Sequence, residues 1–494
     1  MNIIHGDCLE ELKKLDDNSV DAVVTDPPYG LSNTKPAQVA DVLKAWVTGD
    51  TVSVPAKRGG FMGKGWDSFV PPPAVWEECM RVLKPGGHMA VFAGARTQDL
   101  MGLSIRLAGF EIRDTLGWVY GSGFPKSMDI SKAIDKSRNS NRERQLEFTE
   151  WMRSTGITAR EINEATDTNM GSHYLTDRSQ PAIATADLFD RLRPLLPEVP
   201  ERIERLVAER TGIEWSDYVK REVVGVRNDG ASSIYSMGER KMESNTLNVT
   251  ASASDAAKRW DGWGTALKPA IEPIILARKP LVGTVAANVL AHGVGGLNID
   301  ASRVGSQVRH NPPVGDLTSI GSSRAAPKGE GTIVSGRFPA NVLLDEHAAK
   351  EMDEQSGNVK GAVSNGRTGA SNGYGGGYGG QRQEAGYADS GGASRFFPVF
   401  KYQAKAPKKE RPVIELEDGT KIQHPTVKPV ALMEWLVELI TPPGGVVLDP
   451  FAGSGTTLQA AINKGFTPIG IEQDADYIKL IEKRLEGLCT THKN

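Results

Sequence analysis

The chain has 494 residues, with 58 Lys and Arg against 61 Asp and Glu, a formal net charge of −3 and 39% hydrophobic content. It is too long for one ordinary core and reads as several units of a soluble globular protein, with no apolar run near the roughly 18 residues that a membrane span needs. The near-balance of charge excludes no nucleic-acid partner, since phosphate contacts need only a local basic surface. Three cysteines, Cys8, Cys79 and Cys489, lie far apart without a CxxC pair, and the 8 histidines stand singly. That argues against a disulfide framework and a structural metal, and no metal is expected. The opening Met1-Asn2-Ile3-Ile4-His5-Gly6-Asp7 lacks the basic start and apolar segment of a secretory signal, so a cytoplasmic location is expected.

Residues 1–5 read as a short apolar strand, 8–15 as a helical turn or two, and 20–25 as an apolar β-branched run. Residues 76–83 are amphipathic and stop at Lys84-Pro85-Gly86-Gly87, a helix feeding a buried strand over 88–93; residues 111–120 offer another strand. Between residues 135 and 254 the pattern turns helical and polar. Thr158-Ala159-Arg160-Glu161 has capping-box spacing, between a helical segment over 146–154 and a break around Gly171-Ser172-His173-Tyr174. Short helices with tight breaks resemble the DNA-reading helix-turn-helix of phage repressors; a helical insertion that only packs fits the same residues. Residues 231–254 look like a loop, and 273–277 read as a strand returning to the sheet. Residues 361–392 hold twelve glycines and almost no branched aliphatics, too little apolar surface to offset chain entropy, so a mobile loop is expected. Its Tyr374, Tyr378 and Tyr387 suit a tether, or stacking on unpaired bases. Lys401, Lys405, Lys408, Lys409 and Arg411 form the densest basic stretch, suited to a phosphate backbone or to a solvated face. At the far end a strand over 445–448, a Gly-rich turn, a helix from Thr456, a strand over 467–471 and a helix over 475–485 alternate regularly.

Strands alternating with helices at both ends predict an α/β fold: a Rossmann-like, doubly wound, mostly parallel sheet, with a helical insertion and an irregular variable region. The expected division is 1–136 as the first part of the core, 137–254 as the insertion, 255–285 as the returning strand, 286–419 as the variable region and 420–494 as the second part of the core.

Two segments carry chemistry. Thr25-Asp26-Pro27-Pro28-Tyr29-Gly30 follows an apolar strand directly. A strand ending this way puts rigid backbone without N–H groups at the carboxyl edge of a parallel sheet, where such folds bind ligands. The Asp26 side chain and the Pro27 carbonyl are then presented together as acceptors, matching the two N–H donors of an exocyclic amine. Accepting both pulls the nitrogen towards tetrahedral geometry and frees its lone pair. Tyr29 gives a flat face for a base lifted out of the duplex. The bland reading is an ordinary Asp-Pro-Pro turn.

The second segment is Val446-Val447-Leu448-Asp449-Pro450-Phe451-Ala452-Gly453-Ser454-Gly455-Thr456-Thr457, a strand, a Phe-x-Gly-x-Gly turn and a helix start. Bare glycine backbone lets a ligand approach where a side chain would clash. Glu472 stands nineteen residues after Gly453, at the end of the next strand, where Rossmann-like sheets bond a ribose hydroxyl. Alone this suits a dinucleotide enzyme equally; the lack of a following Gly-Lys-Ser/Thr argues against a phosphate-binding P-loop.

Taken with His424-Pro425-Thr426-Val427-Lys428-Pro429, the two segments resemble the β group of the DNA amino-methyltransferases, whose circularly permuted motif order is the same. The match covers roughly residues 1–30, 76–135 and 420–488; Gly121-Ser122-Gly123-Phe124-Pro125-Lys126 and residues 266–277 resemble phage and prophage members. The resemblance implies S-adenosyl-L-methionine as cofactor, base flipping, and direct attack by an amino nitrogen. Asp in the first motif position usually accompanies adenine N6, and Ser cytosine N4. It implies Asp26, Pro27, Pro28 and Tyr29 as the catalytic segment, with Asp7 and Cys8 near the cofactor's adenine. Asp449, Phe451, Ala452, Gly453, Ser454, Gly455 and Thr456 would line the cofactor, Glu472 would bind its ribose, and Thr426 and Lys428 would approach its methionine end. Double-stranded DNA is the implied partner, with part of target recognition expected in 137–254; a homodimer and a partner restriction endonuclease stay open. An RNA or protein methyltransferase, or a DNA-binding protein without catalysis, are the rival classes. The motif order also implies that the chain's two ends meet: the segment ending in Glu472 beside the one entering Asp7, with the Gly453 and Asp26 turns on one sheet edge.

Overall fold

The computed structural model describes residues 2–32, 34–55, 67–121, 123, 127–138, 142–177, 180–210, 223–228, 246–250, 255–311, 332–360, 389–400, 410–415, 419 and 421–486. Most of the glycine-rich stretch, most of the 231–254 loop and the four lysines between 401 and 409 lie outside the described residues. The chain divides into two compact units, Met1–Gly123 with Ala270–Asn494, and Phe124–Pro269.

The first unit is built on a nine-stranded sheet, here β1 Asn2–His5, β2 Val20–Thr25, β3 Leu83–Phe92, β4 Glu111–Val119, β5 Ile271–Arg278, β6 Val342–Asp345, β7 Val399–Phe400, β8 Val446–Asp449 and β9 Thr467–Glu472. Across the sheet the order is β1-β9-β8-β2-β3-β5-β4-β6-β7. All neighbours run parallel except β5, which is antiparallel to both β3 and β4. All six residues of β2 are buried, as a central parallel strand covered on both faces requires. Side chains of β3 and β5 alternate between two cores: Met89, Val91, Ile275 and Ala277 on one face, Ala90, Phe92, Ile274 and Leu276 on the other. The helix Pro73–Val82 covers the first face through Val75, Trp76, Cys79 and Val82. The helix Val430–Ile440 covers the second through Leu432, Met433, Leu436 and Val437. This is the expected doubly wound α/β sheet.

Two local differences from the sequence reading have simple causes. The Lys84–Gly87 stop is part of β3, which starts at Leu83. Gly86 sits at φ +79, and the register with β2 slips between Val20 and Ala22, so the glycines serve a bulge where a helix end was expected. β6 and β7 arise within the stretch read as variable; at four and two residues they are too short to announce a period.

The ends of the chain do meet. β1 pairs with β9 in parallel, His5 opposite Glu472, and the Gly6 N–H donates to the Glu472 carbonyl at 3.0 Å.

The second unit includes the helices Arg142–Ser154, Ala159–Thr166, Gly171–Leu175, Ala186–Leu192 and Glu201–Arg210. They enclose their own core of Phe148, Trp151, Met152, Ile162, Tyr174, Phe189, Leu192 and Ile203. The capping box forms as read: the Thr158 N–H donates to Glu161 Oε2 at 2.8 Å and the Glu161 N–H to Thr158 Oγ1 at 3.3 Å. Asp167 ends that helix in the left-handed region at φ 53, and a Cβ on Gly171 would lie 2.3 Å from the Ala159 carbonyl oxygen. Among the described residues no helix is long and apolar enough to cross a membrane, and no group of three or more His, Cys, Asp or Glu could hold a metal ion.

Candidate active site

Because β2 and β8 are parallel neighbours, with Ala22 opposite Val447 and Val23 opposite Leu448, the turns that follow them leave the same sheet edge. The Thr25 hydroxyl ties the two strand ends together by donating to Asp449 Oδ1 at 2.7 Å.

The turn after β2 is held rigidly. Gly30 takes φ +65, and a Cβ there would lie 2.6 Å from the Val70 backbone nitrogen, so no other residue fits without displacing backbone. Its N–H donates to Asp67 Oδ1 at 3.0 Å, and Thr97 Oγ1 donates to the Tyr29 carbonyl at 2.6 Å. Inside this frame the Tyr29 hydroxyl donates to Asp26 Oδ1 at 2.7 Å. Lys428 brings its ammonium to Glu272 Oε2 at 2.8 Å, to the Tyr29 oxygen at 2.9 Å and to Asp26 Oδ2 at 3.2 Å. The same ammonium lies 5.2 Å from the Tyr29 ring centroid and 4.8 Å from that of Phe92. Burial, then the charges of Asp26 and Glu272, push the Tyr29 phenol well above its ordinary pKa, so it remains a donor. Burial works against the Lys428 charge, but Asp26 and Glu272 outweigh it and hold its pKa above the ordinary value.

The turn after β8 is built from backbone. Gly453 and Gly455 sit at φ +52 and +77, and the helix Thr456–Asn463 begins directly after them. The Gly453 N–H donates to Glu472 Oε2 at 2.7 Å, while the Asp474 N–H donates to Oε1 at 2.8 Å. Burial raises the Glu472 pKa against the pull of those two donors. A Cβ on Gly453 would come within 3.1 Å of His424 Nε2. The segment 424–428 therefore touches both turns, His424 at the glycines and Lys428 at Asp26. Phe451 packs against Trp76 with ring centroids 6.3 Å apart.

Several residues singled out in the sequence have structural duties in this frame. Asp449 is 2% exposed and accepts from Thr25 and from the Phe451 N–H at 3.1 Å, and burial lifts its pKa to about 6. The Asp7 carboxylate caps the helix Cys8–Leu12 through the Leu9 and Glu10 N–H groups at 3.0 and 3.3 Å. Burial, aided by the Asp7 charge, lifts the Cys8 thiol to about 12, which leaves it protonated. Ser454 and Thr456 are buried, their hydroxyls 3.3 Å apart, and Ala452 anchors the turn by donating its N–H to the Ile471 carbonyl at 2.9 Å. Thr426 is exposed.

Glu272 was missed. It is the second residue of β5, opposite Trp118, and the signal was available: an acidic residue near the start of an otherwise apolar run, Ile271-Glu272-Pro273-Ile274-Ile275-Leu276.

A family model described as DNA methylase matches residues 20–181 and 340–483, more than half of the chain. Among curated relatives, the DNA adenine methyltransferase YhdJ of Escherichia coli (strain K12) is 49% identical over 63 residues, 13% of this chain and 21% of that protein. The type II methyltransferase M2.DpnII of Streptococcus pneumoniae is 45% identical over 65 residues, 13% of this chain and 24% of that protein. The chain thus spans about a fifth to a quarter of the length of these two relatives. The crystal structure of an M1.HpyAVI–SAM complex aligns over 98% of both chains at 13% identity, with a TM-score of 0.34. On the match of the family model, this chain belongs to the N6/N4 DNA methylase family.

Proposed function

We propose that the protein transfers a methyl group to the exocyclic amine of a flipped base at specific sites in duplex DNA, and that the base is adenine, modified at N6. The observation that carries this reading is the pairing of β2 with β8, which sets the acceptor turn of Asp26 beside a bare glycine turn closed by a carboxylate. The methyl donor of the family is S-adenosyl-L-methionine, and the residues here fit it. A Cβ at Gly453 would crowd the His424 ring, Glu472 offers carboxylate oxygens to ribose hydroxyls, and Phe451 offers an aromatic face. Ala452, Ser454, Gly455 and Thr456 would form the rest of that cradle, with Asp7 and Cys8 on the adjoining strand end. Bound there, the donor supplies an electrophilic methyl on a sulfonium.

The remaining chemistry belongs to the Asp26 turn. The lone pair of adenine N6 is delocalised into the ring. Asp26 accepts one amine hydrogen and the Pro27 carbonyl the other, which draws the nitrogen out of conjugation and directs its lone pair to the methyl carbon. Tyr29 stacks on the extruded base, a contact worth roughly 1–3 kcal/mol against an unstacking cost of similar size. The methyl would pass from sulfur to nitrogen, the S–C bond breaking to a neutral thioether as the N–C bond forms, and the nitrogen then sheds one proton towards the Asp26 carboxylate. An Asp, where related cytosine enzymes usually carry Ser, favours adenine. We assign part of target recognition to residues 137–254; their removal is expected to abolish site choice before donor binding.

The test is methylation of duplex DNA with labelled donor, followed by digestion and mass spectrometry of the nucleosides. N6-methyladenine is expected. N4-methylcytosine alone would overturn the choice of base, and no label in any DNA would overturn the reading itself.

A further inference from the structure

We propose that Glu272 is a positioning residue that takes the Lys428 ammonium away from Asp26 when a target amine arrives. This rests on the reading of Asp26 as the amine acceptor and adds a requirement to it. At rest both Asp26 oxygens are engaged, Oδ1 by the Tyr29 hydroxyl at 2.7 Å and Oδ2 by Lys428 at 3.2 Å. A carboxylate already facing a cation is a weaker acceptor for a neutral amine, so the cation has to yield.

The geometry identifies which contact gives way and where the charge goes. Lys428 has three N–H donors and three acceptors, and the Asp26 contact is the longest of the three, against 2.8 Å to Glu272 and 2.9 Å to Tyr29. Withdrawal from Asp26 leaves the ammonium with one carboxylate, one phenol oxygen and the faces of Tyr29 and Phe92. Glu272 can hold it there because its backbone is fixed on both edges. The Ala93 N–H donates to the Pro273 carbonyl at 2.9 Å on the β3 side, and the Tyr120 N–H donates to the Ala270 carbonyl at 3.0 Å on the β4 side. Two carboxylates thus share one ammonium, and the entering amine replaces it on only one of them.

With a neutral Gln at 272, Asp26 is the one carboxylate among the described residues still paired with the partly buried ammonium, and the cation closes on it. With Lys428 removed and Glu272 kept, Asp26 and Glu272 are left as like charges with no cation between them. Removing both together relieves both faults. The inference therefore predicts that two damaging substitutions repair one another in kcat while donor binding stays unchanged, whereas a merely structural ion pair would weaken and restore both together.

The experiment measures kcat and KM for methyl transfer to duplex DNA in wild type, Glu272→Gln, Glu272→Asp, Lys428→Met and the double variant Glu272→Gln/Lys428→Met. Calorimetric binding of S-adenosyl-L-methionine shows that each protein is folded. Glu272→Gln and Lys428→Met are each expected to lose about tenfold to a hundredfold in kcat, with the donor KM near wild type. Glu272→Asp keeps the charge and retains most of the rate, and the double variant turns over faster than either single. Wild-type kcat in Glu272→Gln, or a double variant no faster than the faster single, overturns the inference. A wild-type protein that labels no DNA overturns instead the parent reading of Asp26.

Discussion

The two turns at this sheet edge are built on opposite principles. The Asp26 turn works through side chains gathered from three distant parts of the chain: Asp26 and Tyr29 after β2, Glu272 on β5, and Lys428 before the helix Val430–Ile440. The glycine turn works through backbone, nearly all of it within residues 449–474, with Glu472 receiving two N–H groups. A side-chain cluster can be retuned by one substitution without moving the chain. A backbone cradle can be retuned only by changing what it grips. If the division holds, damage to one turn spares the task of the other.

The sharpest break of that comparison is Asp26→Ala. It removes an amine acceptor but leaves Lys428 paired with Glu272 and leaves every contact of Glu472 in place. Methyl transfer is expected to fall on the order of a thousandfold or more, with donor affinity near that of wild type. Single-turnover transfer read beside calorimetric donor binding separates the two; a matched loss of both would mean that the turns form one unit.

Glu472→Gln is the mirror experiment, with a smaller expected effect. A carboxylate can accept from both Gly453 and Asp474, whereas an amide has one oxygen and must aim its NH₂ at the second N–H. The turn loosens and the anionic acceptor for ribose hydroxyls is lost. Donor affinity is expected to fall about tenfold to a hundredfold, the worth of one or two charge-assisted hydrogen bonds, while kcat at saturating donor changes little. Unchanged affinity would show that Glu472 only braces the turn.

The same contrast decides what could be read from the sequence. The glycine turn was legible because its parts are contiguous: strand, glycines, helix and the following strand's Glu472 fall at regular spacing. The Asp-Pro-Pro-Tyr turn was legible for the same reason, and so was Thr158 with Glu161 in the second unit. Glu272 was not, because nothing local ties it to Asp26; only the antiparallel insertion of β5 between β3 and β4 brings its carboxylate to Lys428. Lys428 was legible from its motif, but its contacts were not: its ammonium is held by Asp26, Glu272 and Tyr29, which lie far from it in the chain. The edge strands β6 and β7 escaped because so short a run carries no period, and their pairing is decided by the sheet they join.

The mildest substitution tests the join between the two turns. Asp449 is buried where β8 meets β2, and its carboxyl titrates near 6 in the fold against 3.8 in the open chain, burial being the main cause. Between those pH values the native state holds a proton that the unfolded chain has released. Its contribution to stability therefore falls as pH rises through about 4 to 6 and is flat on either side. Asn at 449 can still accept from Thr25 and from the Phe451 N–H, and carries no charge to bury. Relative to wild type, Asp449→Asn is expected to gain stability across that window, on the order of 3 kcal/mol by pH 7. Urea unfolding of both proteins at pH 4, 5, 6 and 7 measures the difference. A gap that does not change with pH would mean that the strand ends hold the carboxylate as comfortably as water does, and that Thr25 and the turn's N–H groups repay its burial in full.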